Sequence, residues 1–142
     1  MNGQAAQERE QARATDNVTR VRVANGPLVG PVLWRVVSMV LARADWSVER
    51  LDDALLVCDA LSAHAPAYAA DGRLAFSVQA DEHEAQVRVL ELTADGAADL
   101  VRDTMLPVVG NVLERVAEKV SVERRGDESE LVIMLRGPSA HI

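Results

Sequence analysis

The chain has 142 residues, 49% apolar and 3% aromatic, a size and composition that support one folded domain and exclude disorder throughout. With aromatics so scarce, Val, Leu and Ala must build the core. Twenty-two acidic against fifteen basic residues leave a net charge of −7, which argues against nucleic acid as a direct partner and favours a basic protein surface.

Residues 1–17 are polar, without periodicity or an apolar signal core, and are expected to form a disordered tail. Val18 to Val23 alternates, with Thr19, Val21 and Val23 on one face and Arg20 and Arg22 on the other, as a strand with one wet face does. Asn25-Gly26-Pro27 is a turn. A helix follows over about 28–44, with an apolar stripe of Leu33, Val36, Val37, Val40 and Leu41. Trp34 on this helix reads as a core residue, with a partner anchor as the other reading.

Ser47 is suited to cap a second helix over about 48–65, with Glu49 in its first turn. Trp46 before the cap and Leu51 inside it have the spacing of a hydrophobic staple. Leu51, Ala54, Leu55, Cys58, Leu61 and Ser62 share its expected inner face, and Pro66 ends it. Cys58, the single cysteine, reads as a small core hydrophobe in a reduced, cytoplasmic protein. Asp59 stands out as a carboxylate in an apolar run, with Asp52, Leu56 and Asp59 bordering solvent as the plainer reading.

Arg73 to Ala80 alternates with Leu74, Phe76 and Val78 inward. Asp81-Glu82-His83-Glu84 is a polar hairpin loop. Ala85 to Leu92 returns as a strand, with Val87 and Val89 on one face and Leu90 and Leu92 on the other. Residues 93–104 are irregular, with a short helix from Ala98. Pro107 suits the first turn of a third major helix over 107–118, striped by Val109, Leu113, Val116, Ala117 and Val120. Strands at about 119–125 and 129–136 flank a tight turn at Gly126-Asp127. Residues 137–142 leave the fold.

Strand, helix, helix, strand, strand, helix, strand, strand is the order of an α/β two-layer sandwich. It predicts a mixed, largely antiparallel sheet of about five strands with about three helices on one face. The folded domain spans 18–136. No run of 18 apolar residues exists, so no membrane span is expected. His64, His83 and His141 lack the spacing of metal ligands, and no metal site is expected.

This order, and the helix carrying Cys58-Asp59-Ala60-Leu61-Ser62-Ala63-His64, resemble the Bergerat ATP-binding fold of the anti-sigma-factor serine kinases and histidine-kinase ATPase domains. The resemblance covers residues 18–136. In that family the second helix carries a pattern like Ser-Glu-Leu-Val-Thr-Asn-Ala, in which the Glu is the base and the Asn four residues on holds Mg²⁺. Here Asp59 would stand for the Glu, one methylene shorter, and Ala63 for the Asn, with no oxygen for a metal. The family's Asp-x-Gly-x-Gly adenine box has only Asp95 and Gly96 as candidates, reached by sliding two positions from Thr93, and a surface Asp-Gly turn explains them equally well. At the phosphate-binding Gly-x-Gly, Pro107 and Val109 occupy the glycine places, with Gly110 one position late.

The resemblance therefore implies a regulatory module with ATP binding and kinase activity lost, needing no cofactor. Its partner would be a sigma factor or an anti-anti-sigma domain, and it could pair as a homodimer. The alternatives are a diverged serine/threonine protein kinase using ATP and Mg²⁺, with Asp59 as base, or an unrelated α+β dimerisation module.

Overall fold

A computed structural model describes residues 18–106 and 110–137. The expected tails over 1–17 and 138–142, and Pro107 and Val109, lie outside the described residues. The strands are β1 (Thr19–Ala24), β2 (Arg73–Ala80), β3 (Glu84–Thr93), β4 (Met105–Leu106), β5 (Gly110–Asn111), β6 (Lys119–Arg125) and β7 (Glu128–Arg136). The helices are α1 (Val29–Arg43), α2 (Val48–His64), α3 (Gly96–Asp103) and α4 (Val112–Val116), with a 3-10 turn at Ala65–Tyr68 after α2. The result is the two-layer α/β sandwich. Its main sheet runs β1-β2-β3-β7-β6, and every neighbouring pair is antiparallel.

Register explains which face the helices cover. Val21, Phe76 and Val89 stand opposite one another across β1, β2 and β3, and Val87 stands opposite Val78 and Ile133. These residues, with Leu74, Leu131 and Leu135, form the apolar face. α1 buries Val29, Leu33, Val37, Val40 and Leu41 against it, leaving Val36 and Trp34 half-buried at the margin. α2 buries Ala54, Val57, Cys58 and Leu61. Its buried stripe is thus turned toward Val57, away from the expected Leu51, Leu55 and Ser62, which are half-buried. The two helices meet closely at Gly30, where an added Cβ would lie 3.6 Å from Ser62 Cβ.

Further expectations are corrected. Leu90 and Leu92 do not share a face, because β3 carries a bulge between Val89 and Leu92, and Glu91 adopts φ 54°. One extra residue resets the alternation, so Leu92 joins the core and Leu90 remains on the other face. The third helix does not span 107–118. β4 pairs with β5, and Asn111 then starts the five-residue α4, its Oδ1 accepting from the Glu114 amide at 3.1 Å. The core side chain expected of that helix, Leu113, is buried as predicted.

The far end of the sandwich is locked by a polar cluster. Asp45 takes a left-handed φ of 61°, and the Asp45 and Trp46 amides bond the Ala42 and Leu41 carbonyls, closing α1. Trp46 is thereby folded inward, 5% exposed, and its Nε1 donates to the Asp81 carbonyl at 2.9 Å. Ser47 caps α2 by accepting from the Arg50 amide. The Arg50 guanidinium lies 5.7 Å from the Trp46 ring centre, donates to the Arg136 carbonyl at 2.8 Å and pairs with Asp53 at 2.7 Å. Gly137 does not leave the fold at once: its amide bonds the His83 carbonyl at 2.7 Å, and an added Cβ would sit 2.5 Å from the Glu82 carbonyl oxygen. Trp46→Phe removes this donor and part of the buried indole's volume, so the unfolding free energy should fall by about 1–3 kcal/mol with an unchanged denaturant slope, read by urea titration.

Candidate functional site

α2 presents Asp52, Leu56, Asp59 and Ala63 to solvent, while Val57, Cys58 and Leu61 point into the core. The plainer reading of Asp59 therefore describes its position: it borders solvent and does not sit in an apolar pocket. Ala63, four residues on, shares that exposed face. Burial pushes the neighbouring Cys58 thiol up to about 12, and the Asp59 carboxylate pushes it the same way.

Asp95 and Gly96 sit at a different place, where β3 turns into α3. Asp95 is exposed, and its carboxylate lies 3.7 Å from the Arg124 guanidinium on β6. Gly96 is packed from three sides: a Cβ there would fall 2.7 Å from Thr93 Oγ1, 3.0 Å from Tyr68 Cβ and 3.2 Å from Leu92 Cβ. The glycine is needed for close packing within the chain, since any larger residue would displace those side chains. The next amide, of Ala97, donates to Ser129 Oγ at 3.0 Å, and the same hydroxyl donates to the Thr93 carbonyl at 2.6 Å. Ser129, 1% exposed on β7, thus caps α3 from across the sheet. The Tyr68 hydroxyl is hydrogen-bonded to Asp103, which holds its pKa above the usual tyrosine value.

Gly110 lies in β5, opposite Leu106. Beside it, Asn111 is 5% exposed and joins three segments. Its Nδ2 donates to the Val101 carbonyl at 2.6 Å, and its Oδ1 accepts from Thr104 Oγ1 at 3.2 Å and from the Glu114 amide. Among the described residues no hydrogen bond or ion pair joins Asp59 to Asp95 or either to Gly110, and no three His, Cys, Asp or Glu side chains converge on a common point. His64 ends α2, and His83 lies 3.5 Å from the Glu82 carboxylate in the β2–β3 turn.

Among the described residues no helix lies on the second face of the sheet, which has its own organisation. The bulge sets Leu90 and Glu91 side by side, and Arg22 donates from Nε to Glu91 at 3.1 Å. The Glu91 carboxylate raises the pKa of that guanidinium. Arg20, Arg22, Ala75, Leu90 and Glu91 line a groove of about 270 Å³ there. Across the same face Arg88 pairs with Glu123 at 3.1 Å and Glu130 at 3.2 Å, and Arg125 pairs with Glu130 at 2.9 Å.

No protein-family profile matches the chain, and no curated protein matches it in sequence.

Sequence reasoning did not single out Ser129, Asn111 or Glu91. The Asn111-x-x-Glu114 spacing is a recognisable helix-start signal. A serine alternating within β7, or a bulge at Glu91, leaves no comparable mark. Gly96→Ala should cost about 1–3 kcal/mol through overpacking at Tyr68, Thr93 and Leu92, measured by urea denaturation. Because the folded Cys58 pKa is raised above its unfolded value, the thiol's contribution to stability is whole below about pH 9 and is lost toward pH 12. A thiol reagent at pH 8 should label Cys58 only after denaturant is added.

Proposed function

We propose that the chain is a protein-binding regulator on an anti-sigma-kinase-like scaffold whose nucleotide positions now serve the fold. The packing of Gly96 carries this reading. Gly96, the glycine next to the one Asp candidate for the adenine box, is enclosed by Tyr68, Thr93 and Leu92, whereas the family's box uses its glycines to bring backbone up to a base. Two further observations agree. The Ala97 amide is taken by Ser129, and Ala63 supplies no oxygen beside Asp59 for a cation.

The protein-binding half of the reading is supported by the open sheet face. Leu90 lies half-exposed there between the Arg22–Glu91 pair and Arg88 with its partners Glu123 and Glu130, and Met134 lies half-exposed on the other side of Arg88. Half-exposed apolar side chains set among charged ones suit a recognition surface. The net charge of −7 favours a basic partner. The resemblance implies a sigma factor or a small anti-anti-sigma domain in that role, in a cytoplasmic setting.

Isothermal titration with Mg·ATP should give no saturable heat at micromolar nucleotide, and incubation with labelled ATP and an anti-anti-sigma domain should give no labelled product. Micromolar binding, or phosphotransfer that disappears in Asp59→Ala, would overturn the proposal.

A further inference from the structure

β1 is an open edge of the main sheet, and hydrogen bonds beside it fix which of its backbone groups are unused. The Asn25 amide donates to the Gly72 carbonyl at 3.0 Å, continuing the register of Ala24 opposite Arg73. Bonded pairs alternate along an antiparallel ladder, so Thr19, Val21 and Val23 bond β2. The β2–β3 turn gives the same answer from the other side. There the Asp81 amide donates to the Glu84 carbonyl at 2.9 Å, so Ala75, Ser77 and Gln79 bond β3, and Leu74, Phe76 and Val78 are left for β1. Arg20, Arg22 and Ala24 therefore direct their amides and carbonyls away from the sheet, a row that another strand can extend.

The side chains flanking this row differ between the two faces. Toward the helices, Val21 and Val23 are half-buried. α1 packs over β1 and β2, and α2 lies on its inner side, where Gly30 approaches Ser62. At about 100° per residue, Val32, Val36 and Met39 fall on the flank opposite Gly30, which is the β1 side. Val32 and Val36 are half-buried and Met39 is 43% exposed, so apolar surface continues from the edge strand onto the helix. Toward the open face, Arg22 is held by Glu91. Arg20 is exposed and has no carboxylate partner among the described residues. Both arginines border the groove over Ala75 and Leu90.

We propose that the β1 edge binds an extended acidic segment of a partner protein, which joins the sheet as a sixth strand. Hydrogen bonds to Arg20 and Arg22 hold the backbone of that segment, and strand alternation divides its side chains between the two faces. Residues opposite Val21 and Val23 are apolar and cover those valines together with Val32, Val36 and Met39. The residue opposite Arg20 is Asp or Glu, because facing side chains of opposite charge attract and like charges destabilise the pair. The same rule excludes a second copy of this chain. β1 paired antiparallel with itself sets arginines face to face whether the two-fold axis falls at Arg20, Val21 or Arg22. The edge is a basic site on a chain of net charge −7, and the inference stands apart from the nucleotide reading above.

The probe is a labelled, end-blocked peptide, Ser-Val-Glu-Val-Glu-Val-Ser, read by fluorescence anisotropy against the full chain. It should bind saturably at micromolar protein, and the same peptide with Lys in place of Glu should not. Arg20→Glu should weaken the Glu peptide by about fivefold or more and let the Lys peptide bind. Arg20→Pro removes only an outward amide, so the chain should stay folded by circular dichroism and lose the peptide. Hydrogen exchange locates the contact. The Arg20 and Arg22 amides should slow when the peptide binds, while those of Val21 and Val23, already bonded to β2, should stay as they were. Three results would overturn the proposal: no saturable binding, binding indifferent to Arg20→Glu, or Arg20 and Arg22 amides already protected in the free chain, whether by its own residues 1–17 or by a second copy.

Discussion

Phe76, Val78, Val87, Val89 and Ile133 must leave water, and α1 and α2 are the helices long enough to remove them from it. This one-sided burial organises the molecule. The helices put Leu33, Val37, Leu41, Val57 and Leu61 against the strands, and each such side chain contributes about 1.5–3 kcal/mol when fully withdrawn from solvent. With a single phenylalanine in the chain, the core relies on many small aliphatic contacts, so it needs close backbone approach. Gly96 against Tyr68, Thr93 and Leu92 provides it.

Covering one face leaves the other face and both edges to be managed by charge. On the open face ion pairs hold the long Arg22 and Arg88 side chains across the small residues Ala75 and Ser77, which are 2% and 6% exposed although no helix among the described residues covers them. The bulge at Glu91 links this face to the core. It returns Leu92 to the buried side and sends Glu91 toward Arg22, so the alternation error and the groove have the same origin. At the β1 edge Arg20 and Arg22 set like charges against a second copy of the same strand.

The candidate site follows the same economy of packing. Positions that the resemblance would give to nucleotide are occupied by the fold's own needs. Gly96 makes room for its neighbours, the Ala97 amide donates to Ser129 Oγ, and Asn111 ties α3 to α4 through Val101, Thr104 and Glu114. Asp59 keeps its place on α2 but faces water, with Ala63 beside it.

Period-two and period-three-to-four patterns in the sequence determined the strands, the two long helices and the two-layer class, because side-chain alternation is a local property of the backbone. They also determined Ser47 as a cap and Leu33, Cys58, Phe76 and Leu113 as core. Tertiary structure decided the rest. The bulge at Glu91 is invisible to a strict alternation and depends on pairing with β7. The expected helix over 107–118 shrank to Val112–Val116 because β4 and β5 pair and Asn111 is bound by residues far along α3. The inner face of α2 turned toward Val57 because α1 meets it at Ser62. Above all, the side on which Asp59 lies and the filling of the space at Gly96 depend on partners distant in sequence, and a residue's chemistry depends on those partners more than on its neighbours in the chain.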